Sequence, residues 1–160
     1  MYFWKIDKLE SDLIKGAMSN ADKFQYLLAS TILIALGFEV SSFISESATI
    51  TRVTESIIVV VATIVGTIWC YNRNGKGDNA EFIDRFICLS FPVGIRLIVY
   101  FSIAYTAYMI IGYSLLRDAF GKYSESTTFI DVIFTIGFEL FFYWKLSCSI
   151  YKVSTSQKEE

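Results

Sequence analysis

Acidic side chains inside apolar runs are the residues of this chain whose types and spacing could do chemistry. Glu39 and Glu139 sit in matching settings, Leu36-Gly37-Phe38-Glu39-Val40 and Ile136-Gly137-Phe138-Glu139-Leu140. An ionisable group in a bilayer costs about 2.5–3.5 kcal/mol or more unless it faces protein or water. Each glutamate therefore needs a partner or an aqueous route, and the adjacent glycine would let helices close around it. In the last apolar run, Asp131, Thr135, Lys145 and Ser149 fall on one narrow helical face at about 100° per residue, with Glu139 at its edge. Such a stripe suits the passage of ions or water, or a subunit interface around that passage. The structural alternative is that Glu39 or Glu139 is protonated or hydrogen-bonded inside a bundle, while Asp131 and Lys145 reach to opposite surfaces.

Covalent chemistry is poorly provided for. The chain has no histidine, so the commonest base and metal ligand near neutral pH is missing. No nucleophile–base pair or metal-ligand constellation stands out, which argues against an enzyme and implies no cofactor. Cys70, Cys88 and Cys148 lack C-x-x-C spacing and are expected to be buried free thiols rather than a metal site.

The stretch Asn72-Arg73-Asn74-Gly75-Lys76-Gly77-Asp78 superficially resembles a phosphate-binding loop. A Walker loop, however, places Ser or Thr after its lysine and begins a helix whose amides hold phosphate. Here Gly77 and Asp78 follow Lys76, and an aspartate would compete for those amides. Asp78 and Glu81 fit a helix cap, Glu81 and Arg85 an i,i+4 pair, and Pro92 a kink. Residues 72–96 thus read as a turn, a short surface helix and a kink into the next span, with a docking surface for a partner as the functional option.

The elements that must position these groups are membrane helices. The chain is 54% hydrophobic and 19% charged, with a mean hydropathy of +0.47. A soluble core of 160 residues could not bury that much apolar surface. Four runs are expected to span: 24–44, 54–71, 97–116 and 129–150, each near the roughly 20 residues a crossing requires. The first starts late and lacks a cleavage site, so it is expected to be a retained span and not a signal peptide. Before it, residues 1–19 read as an amphipathic helix, either lying on the lipid surface or packing against neighbouring subunits or a soluble partner. Ser19-Asn20-Ala21-Asp22 supplies caps for the first span, and residues 152–160 form a polar tail. Eleven Lys and Arg residues fall on the side of both termini and three on the other, so both termini are expected in the cytoplasm. The fold class is an all-α membrane protein. Its net charge of −2 carries no nucleic-acid signature, and its spans lack the paired breaks of secondary carriers.

Asn74-x-x-Gly77-Asp78-x-x-x-Phe82-x-x-Arg85-Phe86-x-Cys88-Leu89-Ser90-x-Pro92, with this topology, resembles small bacterial four-span proteins, in particular the membrane subunit of Hailong-type anti-phage defence systems. The resemblance implies a bacterial inner-membrane channel, held closed by DNA oligomers from a nucleotidyltransferase partner and opened by their loss. An oligonucleotide needs excess positive charge. The motif instead balances Arg73, Lys76 and Arg85 against Asp78, Glu81 and Asp84. Lys5, Lys8, Lys15, Arg73, Lys76 and Arg85 are the candidate contacts for a cytoplasmic partner or oligonucleotide, and self-association would have to gather them. Four helices barely enclose a polar route, so the expected functional form is a homo-oligomeric channel or pore-forming effector. A non-conducting scaffold or assembly subunit is the alternative.

Overall fold

A computed structural model describes residues 2, 4–43, 50–76, 78, 81–115 and 129–158, with the side chains of 35–43, 50–52, 112–115, 129–131 and 158 outside the description. Among the described residues every element is a helix: α1 (Ile6–Ile14), α2 (Asn20–Phe43), α3 (Ile50–Gly75), α4 (Phe82–Leu115) and α5 (Phe129–Lys158). Among the described residues, three segments are long and apolar enough to cross a membrane, Val53–Gly75, Phe82–Ile111 and Val132–Gln157. They contain most of the second, third and fourth expected spans. The first expected span is helical through Phe43, but its side chains beyond Ile34, Glu39 included, lie outside the described residues.

The long helices pack in the order α2–α4–α5–α3, so α2 and α3, neighbours in sequence, occupy opposite ends of the row. Only α3's α5-facing stripe is covered. Gly66, Cys70 and Asn74 are buried there, whereas Val53, Ile57, Val60, Val61, Ile64 and Val65 are exposed. That pattern suits an apolar solvent or a second chain rather than water.

The best-buried core lies at one end, where α1 covers α4 and α5. Ile6, Leu9 and Leu13 recur at helical spacing and are all buried. Burying three such side chains is worth roughly 5–9 kcal/mol before the entropy of ordering them. Lys152 of α5 adds a 2.6 Å bond to Glu10. The apolar contacts dominate and the ion pair fixes register. The amphipathic stripe is therefore covered by its own chain, instead of by lipid, a neighbouring subunit or a soluble partner. Gly16, at φ 59°, ends α1. Its amide donates to Leu13 O (3.1 Å) and that of Ala17 to Asp12 O (2.9 Å), the left-handed closure that glycine permits.

The capping expectation for α2 holds. The Ser19 hydroxyl donates to Asp22 at 2.6 Å while Asp22's amide donates back to that hydroxyl at 3.2 Å. These bonds hold the Asp22 carboxyl below its ordinary range. The next residue, Lys23, donates to Asp84 of α4 at 2.6 Å, and that bond raises the lysine's pKa. The pair therefore contributes below the lysine's unfolded pKa and is lost only as alkali passes its raised folded value. With its side chains 22% and 41% exposed, a double-mutant cycle on Lys23→Gln and Asp84→Asn should give about 0.2–1 kcal/mol, decreasing with salt. A coupling above that range would mean the pair is shielded from water.

Two boundaries differ from the sequence reading. The short surface helix expected before Pro92 is not a separate element: α4 continues through the proline, which is buried within it. α5 also continues through residues 152–158, the expected polar tail. There Ser154 and Thr155 donate to Tyr151 O, and Ser156 to Lys152 O, so the hydroxyls are satisfied along the helix itself.

Candidate functional site

Two polar features stand out from the apolar helices. The first is the α3–α5 seam. Thr135, Glu139 and Tyr143 are spaced at i, i+4 and i+8 along α5, and so follow one face with a gradual drift. At one end the Thr135 hydroxyl donates to Glu55 Oε1 of α3 at 2.7 Å. At the other, the Tyr143 hydroxyl bonds with Thr63 and Thr67, and its ring lies on Gly66. A Cβ built at Gly66 would be 2.2 Å from Tyr143 Cγ, so only glycine permits this approach. Glu139 lies between these anchors, half-buried. Gly137, two residues before it, faces Phe101 of α4: a Cβ built there would lie 3.9 Å from Phe101 Cε1, an ordinary contact.

Glu55 lies within the expected span 54–71 but is not among its candidate site residues. Its spacing gives the signal: Glu55, Ala62, Gly66 and Cys70 recur at i, i+7, i+11 and i+15, the face of α3 that meets α5.

The second feature is a polar knot at the α1 end. Arg85 of α4 is 1% exposed. Its guanidinium donates to both Asp78 oxygens at 2.6 and 2.5 Å, and to Asn74 Oδ1 at 2.7 Å. It also donates to Gln157 Oε1 of α5. Gln157 Nε2 donates in turn to Leu13 O (2.8 Å) and Ile14 O (3.1 Å), the terminal carbonyls of α1. The Asp78 amide donates to Ser154 O. One side chain thus connects the start of α4 with the ends of α3 and α5 and, through Gln157, of α1. This two-pronged geometry suits arginine and not lysine.

The expected cap is replaced here. Glu81 lies just outside α4 at φ 47°; its carbonyl accepts the Arg85 amide at 3.1 Å, while the Arg85 side chain pairs with Asp78 rather than with the Glu81 carboxylate. Among the other candidate contacts, Lys5, Lys8, Lys15 and Lys76 are exposed. Lys8 lies over the Tyr2 ring, 5.0 Å from its centroid. Arg73 is sandwiched between Trp69 and Tyr151 at 6.0 and 5.4 Å. Arg85 is turned inward as a structural centre.

The polar stripe of α5 divides between two settings. Thr135 faces α3, whereas Lys145 and Ser149 line a cleft beneath α1 with Arg96. The Asp131 side chain lies outside the described residues. Cys70 and Cys88 are buried and Cys148 is exposed, all as free thiols. Comparisons with protein-family models, curated proteins and solved structures find no match.

Proposed function

We propose that this protein is a bacterial inner-membrane channel or pore-forming effector, active as a homo-oligomer and gated from its cytoplasmic face. In this reading α2 supplies a fourth span, both termini are cytoplasmic, and Glu139 and Glu39 line or gate the route. The observation that carries it is the seam of Glu55, Thr135 and Glu139. Two carboxylates on apolar, span-length helices carry a desolvation cost that a packed scaffold has little reason to bear. Bare apolar faces on α3 leave room for neighbouring copies, and a route between subunits needs several of them. The knot supports gating, because displacing α1 would disturb Gln157, Arg85 and the ends of three further helices. The link to anti-phage defence, with an oligonucleotide as closing ligand, rests on the resemblance of the 74–92 motif.

The test is ion flux through liposomes holding the purified protein alone. Flux is expected, and Glu139→Gln should change it by about tenfold, which needs only about 1.4 kcal/mol at the limiting barrier. Flux unaffected by Glu139→Gln would remove that residue from the route. The scaffold reading draws on a specific observation: Glu55 already has an internal partner in Thr135. A tight membrane together with a stable complex with one membrane protein would favour it.

A further inference from the structure

Beneath α1 lies a cleft in two continuous parts. The polar part, about 160 Å³, is lined by Asp7, Glu10, Arg96, Lys145, Ser149 and Lys152 among others. The apolar part, about 360 Å³, shares Arg96 and Lys145 and is walled by Val93, Leu97, Tyr100, Phe141 and Trp144.

Charge within the polar part is unevenly satisfied. Lys152 takes up the α1 carboxylates, at 2.6 Å from Glu10 and 4.0 Å from Asp7. Arg96 and Lys145 have no carboxylate partner among the described residues. The Arg96 guanidinium rests over the Trp4 ring at 5.5 Å, and its Nε is buried without a hydrogen-bond acceptor. An anion between Arg96 and Lys145 would accept from the ends of both side chains, which no carboxylate among the described residues does.

Direction along the helices identifies the anion's chemistry. On α4 the residues after Arg96 that line the cleft, Leu97 and Tyr100, lead away from the charged α1 end. On α5 those before Lys145, Trp144 and Phe141, do the same. Ser149 and Lys152 lead back toward that end. The ligand that fits has a negative head beside the cations and a hydrocarbon chain along the exposed Tyr100, Phe141 and Trp144 rings, which suit the polar–apolar boundary.

We infer that the α4–α5 cleft beneath α1 binds one anionic phospholipid, its headgroup phosphate between Arg96 and Lys145 and an acyl chain along Leu97, Tyr100, Phe141 and Trp144. The site does not depend on conduction. A bound lipid would join α1, through Ile6, to the two helices it covers.

Native mass spectrometry of delipidated protein in detergent tests this. Phosphatidylglycerol, phosphatidylcholine and inorganic phosphate are titrated separately. One phosphatidylglycerol per protomer should be retained at least about tenfold better than phosphatidylcholine, a difference of about 1.4 kcal/mol. Lys145→Gln, at an exposed position, should reduce that retention without altering thermal unfolding in the absence of lipid. Arg96→Gln should reduce it further, while Lys76→Gln should leave it unchanged. Equal retention of the two lipids, or indifference to both cleft substitutions, would overturn the assignment. Displacement of phosphatidylglycerol by millimolar phosphate would overturn the lipid in favour of a small-anion site.

Discussion

Arg85→Ala is expected to lower the unfolding free energy by about 3 kcal/mol and to free α1 from the end of the bundle. Removing one partner of a buried ion pair costs about 3–5 kcal/mol, because the remaining charge is left without compensation. The low end applies because the Asp78 side chain keeps 19% of its exposure and can recover some water. Fully buried Asn74 loses the guanidinium donor to its Oδ1, and so does the Gln157 carbonyl. Arg85→Lys should recover less than half of the loss, since one ammonium cannot span both Asp78 oxygens, Asn74 and Gln157. Thermal or detergent-induced unfolding gives the magnitude, and limited proteolysis near Gly16 reports the release of α1. A loss below about 1 kcal/mol, the range of an exposed ion pair, would show that the knot does not hold this end together.

The same residue illustrates what a sequence can disclose. Long apolar runs made α3, α4 and α5 legible, because helices in lipid must satisfy their backbone internally and need a set length to cross. The knot was not legible, since Arg85 reaches Asp78, Asn74 and Gln157 across separations of 7, 11 and 72 residues. Local spacing favoured Glu81, but its left-handed backbone places it before the helix, where the i,i+4 argument no longer applies. Lys152, Ser154, Thr155, Ser156 and Gln157 looked like a solvated tail. They are helical because Val153 and Ser154 are buried against the bundle, and within the helix the hydroxyls are satisfied by carbonyls behind them. The missing N–H of Pro92 predicts a kink after a short surface helix; α4 is instead one helix on both sides of the proline. At the seam, Glu139 was legible as a charge in a long apolar run. Glu55 was not, because it stands where a run begins and a boundary charge looks ordinary.

Gly66→Ala should destabilise the α3–α5 seam by about 1–3 kcal/mol, the usual cost of adding a methyl group to a filled interior. Helix propensity runs the other way, since alanine is better than glycine in a helix interior by about 0.8–1.0 kcal/mol. Geometry decides between them. The added Cβ would meet Tyr143 Cγ at 2.2 Å and both Cδ atoms at 2.4 and 2.5 Å. Cγ is the root of the ring, so rotating the ring does not clear it; the whole side chain or the helix must move. Movement would also strain the hydroxyl's bonds to Thr63 and Thr67 and the 3.9 Å approach of the Cys70 thiol to Tyr143 O. Substituting Tyr143→Ala in the same chain removes the obstacle. In that background Gly66→Ala should become neutral or stabilising, so the two changes should be strongly non-additive, as expected of residues in direct contact. A cycle of unfolding measurements on the single and double variants reads this directly. Additive losses would mean that Tyr143 does not rest on Gly66, and that the seam presenting Glu139 is built differently. Glu139 lies one turn from Tyr143, so the Gly66→Ala variant should also perturb any flux that Glu139→Gln perturbs, linking the packing of the seam to whatever its carboxylates do.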